Sequence, residues 1–171
     1  MYDSADGRRV AEVYLEAVKN RFRYMKDLAE RALGQVDDEA LAWSPGGESN
    51  SITVIIKHLS GNMLSRWTDF LTTDGEKPGR DRDAEFVEER LPRQELMERW
   101  ERGWHTLFTA LDALTPGDLL RTVQIRGEPH TVIEAIERQM FHYSYHVGQI
   151  VYLAKAAAGE RWQSLTIPRR R

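Results

Sequence analysis

The sequence predicts an all-α protein: a four-helix bundle with a long crossover connection and a short β-hairpin before the last helix. Two observations lead to this class. In four separate segments, apolar residues recur at spacings of three and four, which is the spacing of one helix face. Turn signals rich in glycine, proline and threonine separate the segments. Four helices with one apolar face each bury those faces most simply against one another.

The first two helices are each marked by an apolar stripe and by residues that suit their ends. The first is predicted over about residues 6–33, and a glycine follows in the position of a C-terminal cap. The second begins near Asn50 or Ser51, either of which can cap it, and ends at residues 72–75. The stripes are Leu15, Val18, Phe22, Met25 and Ala29 in the first helix, and Ile52, Ile56, Leu59, Met63, Trp67 and Phe70 in the second.

A charged stretch separates the second helix from the third. Residues 76–93 hold many charged side chains together with proline and glycine, so we expect a solvated crossover connection. Pro92 suits the first turn of the third helix, which ends at the break at residues 115–117. The apolar stripe of this helix is Leu96, Trp100, Trp104, Leu107, Leu111 and Leu114.

A short hairpin and the last helix complete the chain. Residues 122–125 predict a strand, and residues 126–129 form a turn signal directly after it. The last helix opens with a capping-box pattern at Thr131 and Glu134 and runs to about residue 158.

Length and composition narrow the class of protein. A chain of 171 residues, 30% charged and 41% hydrophobic, fits a single domain over residues 1–171. The net charge of -3 disfavours nucleic acid and acidic membranes as partners, and the basic run at residues 168–171 is interpreted as a solvated tail. No apolar run approaches membrane-spanning length. Without cysteine or a secretory signal, we expect a cytoplasmic protein.

The histidines are the most informative residues for function. His142 and His146 are one helical turn apart and project from one face of the last helix. His58 lies on a matching shoulder of the second helix, from which it could face that pair. Three imidazoles in this arrangement suit a divalent metal ion, although packed structural histidines also fit the pattern. We expect His105 to be solvated and His130 to lie in a loop.

Polar residues near these histidines are candidates for supporting roles. Asn62 and Gln149 could orient a substrate or water, or could be helix-face amides bonded to their neighbours. Arg66 is interpreted as a salt-bridge partner at the groove edge, with anion binding as the alternative. No carboxylate is expected beside the histidines, because Asp69 is about 16 Å along the second helix from His58. No general base is therefore assigned.

Three aromatic residues are predicted on the outer side of the last helix, away from the core. Phe141, Tyr145 and Tyr152 occupy this side, where a homodimer contact is the first interpretation and cover by another part of the chain the alternative. The tryptophans at 67, 100 and 104 lie on apolar faces and are interpreted as core.

Two stretches, SITVIIKHLSGNMLSRWTDFLTTDGEKP and FHYSYHVGQIVYLAK, resemble the DinB-like superfamily of bacterial proteins, also called DinB/YfiT-like metalloenzymes. The resemblance covers about residues 10–168. It implies a four-helix bundle with a long crossover and a metal site at His58, His142 and His146. Nickel and zinc are the metals associated with this superfamily. Some of its members are transferases that join a low-molecular-weight thiol to an electrophile.

Two hypotheses of function follow. In the first, the chain is a metal-dependent enzyme whose three-histidine site activates a thiol or water. Its reaction would be transfer to, or hydrolysis of, a small electrophilic molecule. In the second, it is a non-catalytic, stress-related binding bundle in which the metal is structural or absent.

Overall fold

A computed structural model of the chain describes residues 4–167. Four long α-helices and two one-turn α-helices occur in this part, together with two short 3-10 helices and one antiparallel pair of strands. In chain order the elements are α1 (Ser4–Leu33), α2 (Asp38–Leu41), α3 (Ile52–Trp67), α4 (Arg82–Glu85), α5 (Arg93–Ala113), β1 (Thr122–Ile125), β2 (Glu128–Thr131) and α6 (Val132–Ala158). The predicted helical class and the short hairpin before the last helix are confirmed. The basic run at residues 168–171 lies outside the described residues.

Side-chain caps begin two of the long helices where the sequence predicts them. The Ser51 hydroxyl accepts a hydrogen bond from the Val54 amide at the start of α3. Thr131 and Glu134 form both bonds of a capping box at the start of α6. Each cap satisfies amides that a first helical turn otherwise leaves without partners.

Helix α3 ends earlier than the sequence predicts. It stops at Trp67, because Thr68 is extended and Asp69 has a positive φ of 48°. The predicted end at residues 72–75, and with it the position of Asp69 within the helix, is wrong. Phe70 still reaches the core from the segment after the helix, so the apolar pattern continues where the helix does not.

Helix α3 is buried on almost every side. Fourteen of its residues are buried, including polar ones such as His58, Asn62 and Arg66. Trp67 belongs to an aromatic cluster with Phe22, and the indoles at 67, 100 and 104 are all fully buried, as predicted. The functional candidates of α3 therefore lie inside the protein, where an unpaired polar group is costly and requires a partner.

Most of the crossover connection is exposed, as the sequence predicts, but some of its charged side chains are not. Arg80 and Glu85 have side chains only 5% and 9% exposed. The Lys57 ammonium donates to the Val87 carbonyl at 2.9 Å and pairs with Glu89 at 3.0 Å. The crossover is held to α3 because its polar groups supply partners for the polar residues buried in that helix.

Hydrogen bonds join the hairpin turn to the loop after α3. The Asp74 carboxylate accepts hydrogen bonds from the amides of Arg126 and Gly127, at 2.9 and 2.7 Å. The Gly75 amide donates to the Gln124 carbonyl at 2.8 Å. These bonds fix the position of the Arg126 backbone.

The outer side of α6 carries the three predicted aromatic residues. Phe141, Tyr145 and Tyr152 are 73%, 44% and 70% exposed, which confirms their outward orientation.

Among the helices in residues 4–167, none has both the length and the apolar character needed to cross a membrane.

Candidate metal centre

Three imidazole rings from α3 and α6 converge inside the protein. One nitrogen from each of His58, His142 and His146 lies within 4.8 Å of the others. The ring centroid of His58 is 5.1 Å from each of the other two centroids, which are 4.9 Å apart. His58 and His146 are buried and His142 is half-buried. The three predicted histidines therefore come together and could hold a metal ion.

Hydrogen bonds on the outer side of two rings orient their remaining nitrogens. Oε2 of Glu85 lies 2.9 Å from Nδ1 of His58, and Oε1 of Gln149 lies 2.7 Å from Nδ1 of His146. Carboxylate and amide oxygens only accept hydrogen bonds, so each Nδ1 is the protonated nitrogen. In a neutral ring of this tautomer, Nε2 carries the lone pair, which is the form that binds a metal ion.

The spacing of the nitrogens fits a divalent ion. Nε2 of His58 and Nε2 of His142 are 3.1 Å apart. Two nitrogens that bind one tetrahedral zinc ion at about 2.0–2.1 Å are about 3.3 Å from each other. Two lone pairs directed at one point repel unless a cation or proton lies between them. The donor set and its spacing therefore match a metal that accepts imidazole.

Glu85 is a site residue that the sequence interpretation missed, and the expectation of no carboxylate beside the histidines is wrong. Nε and Nη2 of Arg80 donate to Oε1 and Oε2 of Glu85, each at 2.7 Å. Burial raises the pKa of the Glu85 carboxyl, but bonds from Arg80 and His58 outweigh burial and hold the pKa below its ordinary value. Glu85 is 27 residues from His58 in a run of charges. Asp81, which caps the turn that contains Glu85, indicates a helical turn there but not which of its residues is buried.

His142 and His146 are neutral at pH 7. Burial, followed by the charges of the other two histidines and two arginines, lowers the pKa of His142 to about 3. Burial lowers the pKa of His146 to about 4, although the hydrogen bond with Gln149 opposes this shift. Protons therefore do not compete with a metal ion for these rings near neutral pH.

A cavity of about 480 Å³ opens beside the three histidines. Its volume is that of a small-molecule site. Besides the imidazoles, its wall contains two amides, three aromatic rings and five arginines. The cavity gives a molecule of modest size direct access to the histidine cluster.

The two amides predicted to orient a substrate or water occupy different places. Asn62 lines the cavity, and its Oδ1 accepts a hydrogen bond from the Tyr143 hydroxyl at 2.9 Å. That hydroxyl in turn accepts one from Trp67 at 3.1 Å. The amide nitrogen of Asn62 has no partner within residues 4–167. Gln149 is exposed behind His146 and is not part of the described cavity wall.

Three further polar residues had a predicted position, and the structure bears out two of these predictions. His105 is exposed on α5, as predicted. His130 lies in strand β2, so the prediction of a loop is wrong. Arg66 pairs with Glu76 at 3.3 Å and donates to the Gly75 carbonyl, which confirms its salt-bridge role.

Comparison with known protein families gives a match over most of the sequence. A family model described as "Protein of unknown function (DUF1572)" matches residues 9–171, nearly the whole chain. No curated protein matches it.

Proposed function

The chain belongs to the DUF1572 family of proteins of unknown function, and we propose that it is a metal-dependent enzyme that acts on a small molecule. His58, His142 and His146 would hold a divalent transition metal ion, with nickel or zinc as the first candidates. The observation that carries the proposal is a set of oriented imidazole nitrogens beside an open cavity.

The number of ligands favours a catalytic site over a structural one. Among the described residues, the group that could hold an ion has three members, all histidines. Structural zinc sites are normally closed by four protein ligands, whereas catalytic sites keep a position open. A cavity on the open side supports the enzyme over the alternative, a non-catalytic stress-related bundle with a structural metal or none.

The surrounding residues would prepare the site for chemistry. When bound, the ion supplies a Lewis acid that lowers the pKa of a thiol or water. Glu85 and Gln149 hold two imidazoles in the ligand tautomer, and outer partners of this kind raise metal affinity. The amide nitrogen of Asn62 is available to donate to a molecule in the cavity. The reaction we propose is either attack of a thiol on a small electrophile, which displaces a leaving group from it, or hydrolysis of that electrophile by water.

The resemblance to the DinB-like superfamily supports a metal-dependent enzyme and suggests the kind of co-substrate. It rests on a histidine followed by Leu59, Gly61 and Asn62 in α3, and on the His-x-x-x-His-x-x-Gln pattern in α6. On this basis we propose a low-molecular-weight thiol as the first co-substrate to test.

Elemental analysis of the chain purified without a histidine tag tests the metal. We expect about one nickel or zinc ion per chain in the wild type, its loss in His142→Ala and its retention in His105→Ala. Metal-loaded protein should then consume a chromogenic aryl halide with cysteine as the thiol, or hydrolyse an activated ester. A wild-type chain that retains neither ion after incubation and dialysis would overturn the proposal.

A further inference from the structure

The wall of the metal cavity carries far more positive than negative charge. Five guanidinium groups line it, and no carboxylate does so among the described residues. The whole chain has a net charge of -3, so this positive region is a local feature. The five residues are Arg66, Arg80, Arg82, Arg126 and Arg138.

Two carboxylates offset only part of this charge. Glu76 pairs with Arg66, Arg80 and Arg126 at 3.3, 3.4 and 3.1 Å. Glu85 pairs with Arg80 at 2.7 Å. Because the histidines beside them need to be neutral to bind a metal, they offer no negative charge, and a bound divalent ion would add two positive charges.

The remaining two guanidinium groups have no ion-pair partner within residues 4–167. The Arg82 guanidinium lies 4.8 Å from the centroid of the Phe86 ring, a cation–π contact that holds it at the wall. Arg138 precedes His142 by one helical turn on the same face of α6, a rise of about 6 Å. Both charges are therefore available to a molecule in the cavity.

Two buried polar atoms of the same wall also lack partners. Arg66 and Gln139 are only 4% and 3% exposed. Nε of Arg66 and Oε1 of Gln139 nevertheless have no hydrogen-bond partner among the described residues. Buried polar groups are almost always satisfied. Of these two exceptions, Nε of Arg66 is a donor that suits an anion, whereas Oε1 of Gln139 is an acceptor and requires a donor.

We propose that the cavity takes a small anionic substrate whose carboxylate or phosphate group is bound by Arg82 and Arg138, while its reacting end faces the three histidines. The planar fork of a guanidinium suits both kinds of oxygen anion. The distance of one helical turn between Arg138 and His142 limits the substrate to a compact molecule. This inference rests on the proposed function and adds the class of substrate to it.

Calorimetric titration with defined probes tests the anion site. Succinate and inorganic phosphate are the anions, and succinamide is the uncharged counterpart of succinate. Each is titrated into the full chain with nickel or zinc bound and into the chain freed of metal, because the metal-free chain excludes direct coordination of the anion. The variants are Arg138→Gln and the double variant Arg82→Gln/Arg138→Gln. Arg21→Gln is the matched control, since Arg21 is exposed on α1 and lines no part of this cavity.

We expect the wild type to bind succinate or phosphate and not succinamide. Arg138→Gln should weaken binding about tenfold, the double variant further, and Arg21→Gln not at all. Equal affinity for succinate and succinamide, no anion binding up to about 10 mM, or an unaffected double variant would each overturn the inference.

Metal content of the same samples separates this inference from the proposed function. The arginine variants should keep one ion per chain, which also shows that they are folded. If the wild type binds anions through these arginines but takes up no metal, the anion site stands and the metal-dependent function fails. If it takes up metal but the arginine variants bind anions as tightly as the wild type, the anion inference fails and the metal-dependent function stands.

Discussion

A β-carbon placed on Gly61 would lie 2.1 Å from Oε1 of Glu85 and 2.7 Å from its carboxyl carbon. Both distances are far below van der Waals contact, so only glycine allows the carboxylate to approach α3 this closely. Gly61 follows His58 by three residues, and residues at that spacing share a helix face. The bare backbone at position 61 therefore leaves the space through which Glu85 reaches His58.

We expect Gly61→Ala to weaken metal binding about 10- to 100-fold, because the new methyl group displaces the outer partner of His58. Calorimetric titration with nickel or zinc measures the effect. Gly148→Ala is the control, since a β-carbon there meets nothing within 4 Å. In α6 that alanine should stabilise the fold by up to about 1 kcal/mol and leave metal affinity unchanged. Equal metal affinities in the two variants would contradict the role assigned to Gly61.

Glu85→Gln should lower the free energy of unfolding by about 1–3 kcal/mol, because Arg80 would remain buried with Glu76 as its one remaining ion-pair partner among residues 4–167. Urea denaturation of the metal-free chain measures this. Glu89→Gln removes a charge from the same crossover, but that glutamate is 47% exposed in its pair with Lys57. The control should therefore lose less than about 1 kcal/mol. A loss in Glu85→Gln no larger than in the control would count against a structural role for the buried pair.

Metal should raise the melting temperature of the wild type but not that of His142→Ala. A ligand that binds only the folded state adds about 2.7 kcal/mol at one hundred times its dissociation constant. His105→Ala should respond as the wild type does, because this residue is exposed and outside the cluster. Differential scanning fluorimetry with and without nickel or zinc gives the comparison. If His142→Ala lost the metal response and also melted far lower without metal, the structural alternative would be favoured.

Acid should destabilise the metal-free chain as the pH falls below about 6.5. The pKa of His142 is about 3 and that of His146 about 4 in the folded chain, against 6.5 for an unperturbed histidine. The unfolded chain therefore binds protons at a higher pH than the folded one. The stabilisation from the two neutral rings is complete above about pH 6.5 and is lost progressively down to about pH 3. At pH 5 each ring could cost up to about 2 kcal/mol.

Urea denaturation at pH 7.5 and pH 5 measures this loss, and His142→Gln should show a smaller one because it removes one of the two titrating groups. A loss of the same size in the variant would assign the acid sensitivity to other residues.

The homodimer remains a prediction that sedimentation or light scattering can test. Tyr152 is 70% exposed on the outer side of α6 and does not line the cavity beside the three histidines. If this side is a dimer contact, Tyr152→Ser should shift the chain toward monomer, whereas Leu120→Ser should not, although Leu120 is 78% exposed. A monomeric wild type at high concentration would remove this interpretation.

Local signals in the sequence predicted most of the fold. Ser51 and the Thr131–Glu134 pair mark helix starts through their own side-chain bonds, which is why these boundaries were found. The end of α3 was missed because Thr68 and Asp69 turn the chain without glycine or proline. The apolar spacing continues past the turn, so periodicity alone extends the helix too far.

The candidate site, like the fold, was predicted only in part. The spacing of His142 and His146 on one helix, and the place of His58 beside an apolar stripe, indicated that the three rings could meet. The resemblance to a known superfamily then implied the three-histidine site. Glu85 could not be found, because its burial depends on contacts with Arg80 and with a residue of another helix. Nothing in a run of charges distinguishes the one carboxylate that is buried from those that are solvated.

His58 and His142 are separated by 84 positions along the chain, yet their Nε2 atoms are 3.1 Å apart. A cation held by these rings would bind only the folded arrangement, and it would stabilise that arrangement by linking two helices that are far apart in the sequence. The chain contains no cysteine. A metal ion in this position would link α3 to α6 even under conditions that reduce every disulfide.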